Sequence, residues 1–152
     1  MKKQMFGAGG TLRRVQIGNA LSAFGAGFTL PYMFIYVDQV RGQGSLAATM
    51  VFTLFALAAL AVLPFAGRSI DRYGPRPVLL AGCAMAFVGA FAFGQATSTA
   101  GLLLSVFLFG GGVTTCQPAL STMIVRSSTA ATRSHAFALQ FTLVNLGMGL
   151  GA

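Results

Sequence analysis

Arg68, Asp71, Arg72 and Arg76 crowd into the segment 67–77, GRSIDRYGPRP, of a chain with only ten basic and two acidic residues in all. A lone carboxylate among guanidinium groups is suited to one task, making and breaking charge-assisted hydrogen bonds, and these strengthen where water is partly excluded. Gly67 in the same segment is able to end a helix, and Gly74-Pro75 is able to turn one into the next. The segment reads as a short charged hinge. No nucleophile, base and orienting group converge anywhere, so an enzyme has no residues to stand on and no cofactor is implied. Cys83 and Cys116 show no Cys-x-x-Cys or His/Cys spacing, which leaves a metal without support and the thiols as small inert hydrophobes. Gly110-Gly111-Gly112 has no following Lys-Ser/Thr and is not a phosphate cradle.

The elements that hold this hinge are dictated by lipid. A mean hydropathy of +0.76 with 8% charged residues lies outside the range of ordinary soluble domains. Charge-free runs cover 15–37, 42–67, 77–125 and 136–152. About 20 apolar residues make one crossing of a hydrocarbon layer roughly 30 Å thick. The first two runs hold one helix each, and the third holds two, parted by the polar patch 95–99 and Gly101. The expected fold is an all-α integral membrane protein with about five helices, over 17–37, 46–66, 78–94, 102–125 and 136–152, after a cytoplasmic segment 1–16. The run from Val15 is longer than the apolar core of a signal peptide, so the first helix is expected to be retained.

Basic residues set the expected orientation. Lys2, Lys3, Arg13, Arg14, Arg68, Arg72, Arg76, Arg126 and Arg133 fall on one side of the alternating crossings, and only Arg41 on the other. By the positive-inside rule the N-terminus is cytoplasmic, in a multi-pass protein of the cell (inner) membrane. Every basic residue flanks an apolar run, which excludes nucleic acid as a partner and leaves the bilayer. Asp38 beside Arg41 reads as a solvated loop pair or, alternatively, as a mouth residue that attracts cations. His135 is placed at the membrane surface.

Small residues must let such helices approach, because lipid gives them no hydrophobic reason to associate. Gly82, Ala86, Ala90 and Gly94 recur at every fourth position of the third helix, and Gly147 and Gly151 do so in the fifth. Gly25, Gly27 and Pro31 in the first helix are mirrored by Gly110–Gly112 and Pro118 in the fourth. Such a pattern suits either ordinary kinks and packing notches or interrupted helices around a midplane substrate site. Among the few polar residues within the spans are Asn19, Ser22, Thr114, Thr115, Gln117, Gln140 and Asn145, and no acidic residue lies within any span. If the first and fourth helices line a cavity, Gln117 is its hydrogen-bonding candidate and Phe28 and Tyr32 its apolar walls. The alternative is interhelical hydrogen bonding for the amides and lipid contact for the aromatics.

The pattern G-x-x-x-D-R-x-G-x-R, carried by Gly67, Asp71, Arg72, Gly74 and Arg76, resembles the signature loop between the second and third transmembrane helices of the major facilitator superfamily. Arg133 at the start of the fifth helix, followed by Asn145-Leu146-Gly147-Met148-Gly149-Leu150-Gly151, is similar to the fifth helix of exporters in that family. Pro75 departs from the pattern, where the family more often has a basic residue. The resemblance implies the N-terminal part of a fold of six plus six helices and a secondary transporter that exports small organic molecules by alternating access. It also implies a missing C-terminal half and a coupling ion, for which the proton is the candidate. In that family the loop latches the cytoplasmic side, and Arg126 is the expected partner of Asp71. A truncated, transport-incompetent fragment or an accessory subunit needing a partner half is the alternative; reading the gene beyond codon 152 discriminates them.

Overall fold

The computed structural model describes residues 2–151, the side chains of residues 2–9 and 11 excepted. The side chains of Lys2 and Lys3, counted above for orientation, and the expected last helical residue Ala152 lie outside the described residues. The chain forms α1 (Lys2–Ile35), a π-helical turn (Tyr36–Val40), α2 (Gly44–Tyr73), α3 (Pro75–Gln95), α4 (Thr99–Ser127) and α5 (Ala130–Gly151), with no strand among the described residues. Helix is the form that satisfies every backbone amide within its own segment when no water is at hand. By length and composition, four spans are able to cross a membrane: Leu12–Val40, Gly44–Tyr73, Pro75–Gln95 and Thr99–Ser127.

The helices outrun the expected crossings, because hydropathy marks only the stretch that suits hydrocarbon while helical bonding continues to the next stop signal. The segment 1–16, expected as a separate cytoplasmic piece, is helical from Lys2 onward. Gly67 does not end α2, which continues to Tyr73. α5 begins at Ala130 rather than near Ala136, where Thr129 and Thr132 form a cap: the Thr129 N–H donates to Thr132 Oγ1 at 3.0 Å.

Two compact units divide the chain. In the first, residues up to Tyr32 and from Leu120, α1 and α5 meet backbone to backbone. Gln16 Nε2 donates to the Ala136 carbonyl at 3.1 Å, a Cβ on Gly147 would lie 2.6 Å from Ala20 O, and one on Gly27 would lie 3.1 Å from the Gly151 Cα. Residue numbers climb together along both helices, so α1 and α5 run parallel. The fourth-residue spacing of Gly147 and Gly151 is thus a contact stripe.

In the second unit, Met33–Ala119, α4 is the central rod. Of its most apolar window 39% is buried, against 22% for the other three spans. Gly110 packs on Phe55 of α2, Gly111 on Val62 and Met85, and a Cβ on Gly112 would lie 2.7 Å from Gly82 O of α3. The three glycines do not interrupt α4. They are notches through which two neighbouring helices reach its backbone. The expected ridge on α3 is correspondingly corrected: Gly82, Ala86 and Gly89 make the contact with α4, whereas Ala90 and Gly94 are exposed and nothing would meet a Cβ on Gly94. At 3.6 residues per turn a strict spacing of four drifts off the contact line, and the step of three from Ala86 to Gly89 restores it.

Candidate functional site

The charged segment folds as the last turns of α2, one turning residue and the first turn of α3. Gly74 alone makes the turn, at φ 86° and ψ 164°, a conformation open essentially to glycine. Its N–H closes the helix on Ile70 O at 2.9 Å. Pro75 excludes the helical conformation from the residue before it and supplies a preset φ as the first residue of α3. The departure of Pro75 from a basic residue therefore has a local structural role. Ile70, Val78 and Ala119 form a small buried cluster beneath the turn.

Asp71, Arg68, Arg72 and Arg76 are all exposed around this turn. The Arg72 guanidinium lies 5.3 Å from the ring centre of its neighbour Tyr73. Asp71 stands in the last turn of α2, where the carbonyl end of the helix disfavours an anion, and Arg76 stands in the first turn of α3, where the amide end disfavours a cation. Among the described residues no ion pair satisfies Asp71. Both charges therefore sit against their local fields. Beside the turn, α2 and α3 border a groove of about 370 Å³ whose lining includes Phe65, Ser69, Tyr73, Met85 and, from α4, Thr115. The Thr115 hydroxyl is already engaged, donating to Gly111 O at 2.8 Å.

The other expected site residues are placed as follows. Arg126 is exposed in the last turn of α4, where the helix dipole favours it, and belongs to the first unit. Phe28 and Tyr32, 54% and 53% exposed, lie one turn apart on α1, and the Phe28 ring meets Phe24 edge-on at 5.0 Å. Gln117 is exposed on α4. Asn145 returns its Nδ2 to Phe141 O at 2.8 Å in its own helix, whereas Asn19 Nδ2 and Gln140 Oε1, both in the first unit, are buried with no hydrogen-bond partner.

Arg41 is the residue that sequence reasoning misread. It is not a solvated partner of Asp38: its Nε donates to Tyr36 Oη at 2.7 Å, its guanidinium lies 5.1 Å from that ring centre, and its Nη2 donates to Gly94 O at the end of α3. Thr99 Oγ1 donates to Gln43 Oε1 at 2.6 Å alongside. The spacing of Tyr36 and Arg41 carried this signal only through the π turn, whose Arg41 N–H to Tyr36 O bond of 2.8 Å brings residues five apart onto one face.

Comparison with known proteins bears on the family of the chain. The family model described as Major Facilitator Superfamily matches residues 15–152. Multidrug resistance protein 1 of Bacillus subtilis (strain 168) is 27% identical over 138 residues, covering 90% of this chain and 35% of that protein. Multidrug resistance protein 2 of the same organism is 26% identical over 142 residues, covering 93% of this chain and 35% of the relative. Quinolone resistance protein NorA of Staphylococcus aureus is 24% identical over 127 residues, covering 84% and 32%. The chain thus spans about a third of the length of these curated relatives. With helices able to cross a membrane four times and a family match over nearly its whole length, this chain is a multi-pass membrane protein that belongs to the major facilitator superfamily.

Proposed function

We propose that this chain is the N-terminal part of a secondary active transporter that exports small organic molecules by alternating access, and that Asp71 is the switching charge. The observation that carries the reading is the placement of Asp71: an exposed carboxylate at the wrong end of α2, among three arginines, with no ion pair among the described residues. Such a group gains most from a cationic partner that comes and goes. Arg126 is the proposed partner, and the turn is proposed to face the cytoplasm with the N-terminus, in keeping with the basic residues gathered beside it. The names of the multidrug and quinolone resistance relatives support export of small organic molecules. Phe28, Tyr32 and Gln117 are proposed to contact them. The proton is the proposed coupling ion; both carboxylates of the chain, Asp38 and Asp71, lie at span ends, so its carrier is assigned to the rest of the transporter.

A coupling of about 1–3 kcal/mol shifts a two-state equilibrium by roughly 5–150 fold, which is within reach of one partly desolvated ion pair. Asp71→Asn in the whole transporter is therefore expected to lower efflux of a quinolone from cells by about that factor, with membrane insertion unchanged. Exchanging the charges, Asp71→Arg with Arg126→Asp, is expected to restore part of the loss. Normal turnover of the Asp71→Asn variant would remove the switch.

A further inference from the structure

Cys83 of α3 and Cys116 of α4 bring their sulfurs to 3.7 Å. Neither thiol has a part in the transport reading. Cys83 is exposed, and Cys116 Sγ packs so closely on α3 that a Cβ on Gly82 would lie 2.9 Å from it, with Leu79 O at 3.9 Å on the same side. Gly82 and Gly112 already bring the two backbones together, since a Cβ on Gly82 would also lie 3.1 Å from Gly112 O. The helices have little room to close further.

A direct sulfur–sulfur bond of about 2.05 Å would require the thiols to approach by roughly 1.7 Å. A single bridging atom requires almost no approach: two bonds of about 2.3 Å, meeting at the angle of roughly 100° of a pyramidal trivalent centre, hold their sulfurs about 3.5 Å apart. The separation in the protein suits one soft atom shared by both. The surroundings restrict that atom further, because apolar walls disfavour a bridged product that carries charge. We propose that Cys83 and Cys116 form a dithiol site for soft, bifunctional electrophiles that leave a neutral adduct, of which trivalent organoarsenicals are the chemical class. The step balances without an oxidant: R–As=O and two thiols give R–As(SR′)₂ and water. Two As–S bonds form, both S–H bonds break, the arsenic-bound oxygen leaves with the two protons, and arsenic stays trivalent.

The test uses phenylarsine oxide on the purified, detergent-solubilised protein, read by intact mass and by maleimide labelling of each cysteine. The expected result is one phenylarsenic group per chain, loss of maleimide uptake at both cysteines, and release by a dithiol but not by a monothiol. Cys83→Ser and Cys116→Ser are each expected to weaken uptake by about 10² fold or more, since the second bond no longer forms at high effective concentration. Two outcomes overturn the site: single variants that take up the reagent as well as the parent, or a parent whose cysteines both still react with maleimide after treatment.

Discussion

The two ends of the second unit are built on opposite plans. Where the π turn meets the end of α3, seven buried residues, Met33, Val37, Ala47, Ala48, Val51, Leu102 and Val106, form one cluster, and Arg41 ties the turn to Tyr36 and Gly94. At the charged turn the buried cluster shrinks to Ile70, Val78 and Ala119, and the charges are left on the surface without an ion pair for Asp71. One end is closed by bonds made inside the unit. The other keeps its strongest groups free for something outside it. The same helices thus carry one end tied by internal bonds and one end without them, and it is the second that the proposed function assigns to switching.

That contrast can be broken at its centre first. Gly112→Leu would force a side chain into the space where α4 meets Ala86 and Gly82, and overpacking of this kind costs about 3 kcal/mol; thermal unfolding in detergent should show a loss felt at both ends. A smaller loss is expected for Gly74→Ala, about 2 kcal/mol, because alanine strains at φ 86°. If Gly74→Ala is as stable as the parent, the turn is not the fixed element described above. Arg41→Ala should cost about 1 kcal/mol from its part-buried hydrogen bond and ring contact, and hydrogen exchange should rise at residues 36–43 but not at 67–77. Asp71→Asn is expected to change stability least, by about 0–0.5 kcal/mol, as usual for surface substitutions, while having the large effect on efflux given above. An Asp71→Asn variant that unfolds early would mean that the charged end is anchored too.

How much of this was legible in the chain follows from what kind of information each feature needs. The number of helices was readable, since charge-free runs of the right length leave no other solution in lipid. So was the turn at Gly74-Pro75, where two adjacent residues fix the backbone between them. The end of α2 was misplaced at Gly67 because a glycine inside a helix looks locally like a glycine after one, and only the later Gly74 has the backbone that stops it. The roles of Arg41 and the closeness of Cys83 to Cys116 were not readable. Both depend on the rotation of one helix against another, and one residue of phase, such as that added by the π turn, changes every partner. The candidate site was legible as a motif on one loop, while the open amides of Asn19 and Gln140 required knowledge of which faces α1 and α5 bury.

The parallel seam between α1 and α5 also bears on how the chain is made. Gln16 and Ala136, joined across it, are 120 residues apart, and synthesis proceeds at about 5–20 residues per second. For on the order of ten seconds, then, α1 has left the ribosome while the helix it packs against is still unmade. A helix of this kind has to be sheltered by the insertion machinery, or loiter at the lipid interface, until its late neighbour emerges.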